Sequence, residues 1–276
     1  MTAARLLCLL LAAQIGSAAA ACGEVFTLAS HDNTTTRYSI AKPPANTRST
    51  AVLVLLAGGG GALDLDAQGC PQALTGNSLV RSVPLFNALG LTTVLVDAPS
   101  DYPGEDGLKD FRAHPKHAAD LGALIGELRS RSSQPVWLAG TSRGTISAAN
   151  VAARLTGSLA PDGVILTSAL MVGQTGARKA WVAQTVFDLP LEAIRIPLLL
   201  IGHEADACTR SPASEMPRLA ARLSTARQQI VTVRGGPAVG RSSGLEACEG
   251  KSPHGYFGQE EEVANGIARF IRGEAY

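Results

Sequence analysis

A chain of 276 residues with 46% apolar and 17% charged side chains is long enough and apolar enough to bury a full core, which excludes a disordered protein. Its net charge of +1 and 4% aromatic content provide neither a basic stripe nor a stacking platform, so nucleic acid is excluded as a partner.

The chain opens with Arg5, the apolar run Leu6–Leu11 and the small residues Ser17–Ala21. That order is the order of a secretory signal peptide. The apolar run is shorter than the about 20 residues that a bilayer span requires, which argues against a retained anchor. Residues 1–21 are therefore expected to be a cleaved leader, cut after Ala20 or Ala21, for a periplasmic or secreted protein with no stable membrane insertion. Lipid modification of Cys22 is the alternative, but Ala19 stands where such leaders carry a larger aliphatic residue. Removal of the leader takes Cys8 and leaves Cys22, Cys70, Cys208 and Cys248. An even number in an oxidising compartment points to two disulfides, with three formal pairings. None of the four has zinc-site spacing.

From residue 22 to 276 we read one domain. Residues 24–41 suit an antiparallel start. The short runs 51–57, 92–96, 135–139, 163–167, 197–201 and 229–233 are rich in Val, Ile and Leu. Continuous apolar runs of this length suit strands buried on both faces of a parallel sheet. Helical patterns cover 78–89, 115–130, 143–155, 213–225 and 259–272, the last opening with three glutamates that favour a helix N-terminus. The alternation predicts an α/β domain with a mostly parallel central sheet flanked by helices.

Two glycine-rich stretches follow strands. Gly58–Gly61 comes after the first buried run, but Leu63 or Asp64 stands where a dinucleotide loop needs its third small residue. The stretch instead offers a ribbon of backbone N–H groups. Gly140-Thr141-Ser142-Arg143-Gly144 sits between a strand and a helix, the setting in which Gly-x-Ser-x-Gly forms a sharp turn that presents the serine. The N–H of Arg143 and those of Gly59 or Gly60 are then candidates to stabilise an oxyanion. His114 and His117 are spaced as possible metal ligands, but no third ligand has recognisable spacing, and neither metal nor organic cofactor is expected.

On these residues the chain resembles the α/β-hydrolase superfamily, most nearly its small exported bacterial serine hydrolases. The resemblance runs from AVLVLLAGGGG to the last helix, and it implies an α/β-hydrolase fold with a small cap segment at 169–195. It also implies the order nucleophile, acid, histidine, which assigns Ser142, Asp206 (with Glu204 as the alternative) and His254. Ala57 departs from the pattern, since esterases and lipases often have a histidine before the glycines. Leu170, Met171, Trp181 and Phe187 are the candidate pocket residues of the cap, although Trp181 and Phe187 could equally pack a surface helix. If the acid and histidine loops meet, the disulfides are Cys208–Cys248 and Cys22–Cys70. The function implied is hydrolysis of a small-molecule carboxylic ester through an acyl-enzyme. A peptidase or thioesterase with the same triad, or a non-catalytic binding protein of the same fold, is the competing reading.

Overall fold

Eight strands form a single sheet in the order β1-β2-β4-β3-β5-β6-β7-β8 in the computed structural model, which describes residues 22–237, 244 and 246–276. The expected leader over 1–21 lies outside these residues. Strands β1 (Glu24–Ala29) and β2 (Thr35–Ala41) make an antiparallel hairpin, and β2 joins β4 antiparallel. The remaining pairings, among β3 (Ala51–Leu56), β4 (Leu91–Pro99), β5 (Val136–Thr141), β6 (Gly163–Thr167), β7 (Leu198–His203) and β8 (Gln228–Val233), are all parallel.

The period-two geometry of a strand divides each apolar run between two cores. Val52, Val54 and Leu56 of β3 pack with Leu138, Val164 and Leu200 beneath α3 (Pro115–Arg131) and α4 (Gly144–Arg154). Ala51, Leu53 and Leu55 face the other way, with Ala139, Ile165 and Leu199, against α1 (Ser78–Arg81), α2 (Val83–Ala88) and α6 (Glu260–Ile271). Parallel strands covered on both faces must be apolar throughout, and β3, β5, β6 and β7 are buried at every position.

Three elements differ from the sequence pattern. The expected helix 78–89 is two short helices, because Pro84 falls in the first turn of α2 and cannot continue α1. The expected helix 213–225 contracts to α5 (Met216–Ala220) after a 3-10 turn. Strand β8 closes the sheet edge and is only partly buried.

The candidate cap, 169–195, holds three short 3-10 turns and no α-helix. Its ends belong to the core beneath α4: Leu170, Met171, Val186, Leu191 and Ile194 are at most 3% exposed. Residues 172–184 are exposed or half-buried, and Asp188, Pro190, Glu192, Ala193 and Arg195 are exposed as well.

Candidate active site

The C-terminal ends of β3, β5 and β7 bring the candidate residues to one edge of the sheet. Ser142 directly follows β5 and has φ of 52°, the left-handed region that an L-residue occupies only under constraint. The constraint is visible in its neighbours. A Cβ on Gly140 would lie 2.4 Å from the carbonyl oxygen of Gly144, and one on Gly144 would lie 2.0 Å from that of Leu56. Only glycine allows strand, turn and helix to approach so closely. The N–H of Ser142 donates to Thr167 at 3.0 Å, tying the turn to β6. Ser142 is partly exposed while residues 143–152 behind it are buried.

The ribbon after β3 lies alongside. A Cβ on Gly58 would sit 3.0 Å from the Ser142 Cβ. Among the described residues, the N–H groups of Gly58–Gly61 and of Arg143 donate no hydrogen bond. Gly59, Gly60 and Arg143, the expected oxyanion donors, therefore keep these groups free at the turn. The Arg143 guanidinium points away from the turn: Nη2 donates to the Lys109 carbonyl at 2.8 Å, and Trp181 stacks 4.1 Å from the guanidinium carbon. Burial, and then Arg210, pushes this guanidinium down to about 10.

Asp206 and His254, 48 residues apart in sequence, meet. His254 Nδ1 is 2.9 Å from Asp206 Oδ2, and their side chains are 4% and 0% exposed. The Asp206 carboxylate is organised further by the Cys208 N–H at 2.8 Å and the Ser211 hydroxyl at 2.9 Å, and Ser211 Oγ also lies 2.9 Å from His254 Nδ1. A proton on Nδ1 directed at the carboxylate leaves the lone pair on Nε2. Among the described residues that buried atom has no partner, and no hydrogen bond joins it to Ser142 Oγ. Glu204, the alternative acid, points elsewhere: it is half exposed and paired with Arg234 at 3.4 Å.

The histidine loop is held by residues that no sequence signal marks. The Tyr256 hydroxyl donates to the Ile201 carbonyl at 2.9 Å and accepts from the Ser168 N–H at 3.0 Å, while Ser168 Oγ donates to the His254 carbonyl at 2.7 Å. Cys208 is bonded to Cys248, and Cys22 to Cys70. Asp206, Cys208 and His254 converge as a metal site would, but the Cys208 sulfur is spent in its disulfide. His114 and His117 part company: His114 caps α3 by accepting from the Lys116 N–H, and His117 turns inward to Ser147.

The candidate pocket residues of the cap divide between core and surface. Leu170 and Met171 are core residues, and Phe187 packs against the core beneath Arg218. Trp181 covers Arg143. A cleft of about 650 Å³ opens beyond the ribbon, lined by Gly60, Ala62, Leu74, Ala98, Pro99 and Tyr102 among others.

No protein-family model matches the chain, and no curated protein sequence matches it. Solved structures do. A soluble variant of monoglyceride lipase from Saccharomyces cerevisiae superposes with a TM-score of 0.64 at 10% identity, over 92% of this chain and 96% of that one. The fold is that of the α/β-hydrolases. Est1E from Butyrivibrio proteoclasticus matches with a TM-score of 0.58 at 13% identity, covering 91% and 98% of the two chains. An α/β serine hydrolase homologue from Coxiella burnetii matches at 0.56 and 17% identity, over 91% and 97%. At these identities the likeness is one of fold, and chemistry has to be argued from the site.

Proposed function

We propose that this α/β-hydrolase-fold protein is an exported serine hydrolase that cleaves carboxylic esters through Ser142, His254 and Asp206. The observation that carries the reading is the His254 imidazole, bonded at Nδ1 to a buried carboxylate and, among the described residues, without a partner at Nε2. An unpartnered nitrogen alone does not mark a base, since His117 Nδ1 is buried without a partner as well. What sets His254 apart is the buried carboxylate at its other nitrogen, which holds the tautomer that a base requires.

In this mechanism Ser142 Oγ attacks the ester carbonyl carbon as its proton passes to His254 Nε2. The carbonyl oxygen becomes an oxyanion held by the N–H groups of Arg143 and of Gly59 or Gly60. Collapse expels the alcohol oxygen, which takes the proton back from His254 and leaves an acyl-enzyme on Ser142. Water, deprotonated by the same imidazole, then attacks the acyl carbon and releases the acid and free Ser142. Asp206 holds the Nδ1–H tautomer and stabilises the imidazolium formed in each half-reaction. No step calls on a metal, so EDTA should leave activity unchanged.

The cleft beside Gly60, with its apolar walls, is the place for one side of the ester. Export is supported by the charged-then-apolar leader pattern over 1–21 and by the two disulfides. No helix among the described residues is long and apolar enough to cross a membrane. The test is a fluorophosphonate probe together with p-nitrophenyl esters of increasing acyl length. The reading requires covalent labelling at Ser142 and turnover of at least one ester; an unlabelled, inactive protein with both disulfides formed would end it.

A further inference from the structure

The glycine ribbon is held from behind by an unusual group. Arg112, in the 3-10 turn Phe111–Ala113, is 1% exposed. Its Nη2 donates to the carbonyls of Ala57, Gly58 and Gly59 at 3.0, 3.4 and 3.1 Å. Nη1 donates to Ser147 Oγ at 3.0 Å, and Ser147 Oγ lies 2.9 Å from His117 Nε2. Among the described residues no carboxylate pairs with this guanidinium, and the charge of another cation, Arg143, acts against it. Burying a cation with no anion is costly unless it is thoroughly hydrogen-bonded. An apolar side chain would fill the same space without that cost, so the carbonyl contacts are what the arginine contributes.

Those contacts bear on the oxyanion donors through peptide geometry. In a planar trans peptide, the carbonyl of one residue and the N–H of the next point in opposite directions. Holding the carbonyls of 57, 58 and 59 therefore fixes the N–H directions of Gly58, Gly59 and Gly60. The next peptide is held in the same way, since the Gly60 carbonyl accepts from the Leu108 N–H at 2.8 Å. Gly61 leaves the room, because a Cβ there would meet Arg112 Nη2 at 2.5 Å. The positive charge on the carbonyl side also polarises each peptide and makes its N–H a stronger donor. Ala57 has no side-chain donor of its own at this point in the chain. The arginine supplies donors from a separate loop.

We propose that Arg112, steadied by Ser147 and His117, is a positioning residue for ester hydrolysis that aims and polarises the ribbon N–H groups at the oxyanion. The role rests on the hydrolase reading above. It acts through the peptides of 57–60 and touches no reacting atom. Ser147 accepts from Arg112, and its own proton finds an acceptor at His117 Nε2 when that imidazole is neutral and protonated at Nδ1. Burial, with the Arg112 charge adding to it, keeps His117 neutral.

The experiment compares wild type with Arg112→Met, Arg112→Lys and Ser147→Ala on the best p-nitrophenyl ester and on a boronic acid matched to its acyl group. Arg112→Met should lower kcat by about tenfold to a hundredfold while KM stays within about threefold. Boronate affinity should fall in step with kcat/KM, because the boronate forms the tetrahedral anion that the N–H groups bind. Arg112→Lys should recover part of kcat, since one ammonium restores the charge without reaching all three carbonyls. A folded Arg112→Met protein with kcat and boronate affinity within about threefold of wild type would overturn the proposal and leave the hydrolase reading intact. If Arg112→Met does not fold, Ser147→Ala decides: a fall in kcat of about threefold to tenfold with parallel boronate loss is expected, and unchanged values overturn it. Wild-type protein inert to every ester and to the fluorophosphonate would overturn the hydrolase reading itself, and this role with it.

Discussion

The disulfide Cys208–Cys248 lies between the two loops on which the proposed chemistry depends, so its removal separates stability from catalysis. Asp206 stands two residues before one cysteine and His254 six residues after the other. In the double variant Cys208→Ala/Cys248→Ala, the unfolded chain regains the freedom of a loop spanning 40 residues. Chain-entropy arithmetic puts the loss at about 4 kcal/mol. For a domain of this size that corresponds to a fall in Tm of about 8–16 °C. Catalysis should suffer less. Asp206 is still held by the Cys208 N–H and by Ser211, and His254 by Ser168, while Ser252 keeps its hydrogen bonds to the Ala247 and Glu249 carbonyls. Urea unfolding with an unchanged m-value, alongside ester hydrolysis at 25 °C, reads both quantities. We expect the full stability loss with kcat down by less than about tenfold. The pair Cys22–Cys70, with a similar separation of 48 residues, is the control: its removal should cost comparable stability and no activity. A stability loss under about 1 kcal/mol for the first pair would refute the entropic argument. Complete loss of activity in a folded double variant would show that the local hydrogen bonds do not hold the acid and the histidine.

Ser142→Ala and His254→Ala should each abolish ester hydrolysis, and Asp206→Asn should lower kcat by about 10³ or more by upsetting the imidazole tautomer; Glu204→Gln, which breaks only a surface pair with Arg234, should stay near wild type in the same assay. Burial, reinforced by Arg112, pushes His117 down to about 3, so below about pH 6.5 the unfolded chain takes up a proton that the native state refuses. Its contribution is therefore present above that pH and lost on acidification, by about 2 kcal/mol between pH 7 and pH 5; chemical denaturation of His117→Gln should show a correspondingly flatter profile over that interval. Gly144→Ala should lower stability by at least about 3 kcal/mol, because its Cβ would stand 2.0 Å from the Leu56 carbonyl oxygen; Gly76→Ala, whose Cβ meets nothing within 4 Å, should melt within a few degrees of wild type.

The strands were legible because burial on both faces removes the usual alternation. Runs such as AVLVLLA have no polar position at which a strand could meet solvent, and β3, β5, β6 and β7 occupy the middle of the sheet. Helix extents were legible where caps and proline agreed. Pro115 in the first turn of α3 and the three glutamates opening α6 mark ends that the structure keeps. They were not legible where an apolar pattern outlasted the helix, as over 213–225, since the pattern records burial and does not require helical hydrogen bonds. The same ambiguity attends the candidate pocket. Leu170 and Met171 are apolar because they pack under α4, and an apolar residue in the core reads like one on a pocket wall.

Within the site, what sequence could carry was order, and what it could not carry was direction. Ser142 declared itself through the two glycines that permit its turn, and His254 through its place before the last helix. Glu204 and Asp206 offered the same chemistry two residues apart. Their difference arises only when β7 ends. The Glu204 N–H still bonds Val233, so that residue continues the ladder and its side chain stands at the sheet edge beside Arg234. The Asp206 N–H bonds back to the His203 carbonyl, and the chain has turned. That turn carries the Asp206 carboxylate behind the imidazole, where Ser211 and the Cys208 N–H complete its partners. Arg112 was hidden for a related reason. A single arginine in a loop is ordinarily a surface residue, and nothing local in FRAHP tells that its guanidinium reaches three carbonyls more than fifty residues earlier. Residues that aim other groups leave no signature of their own spacing, because what fixes them is the shape of the backbone they hold.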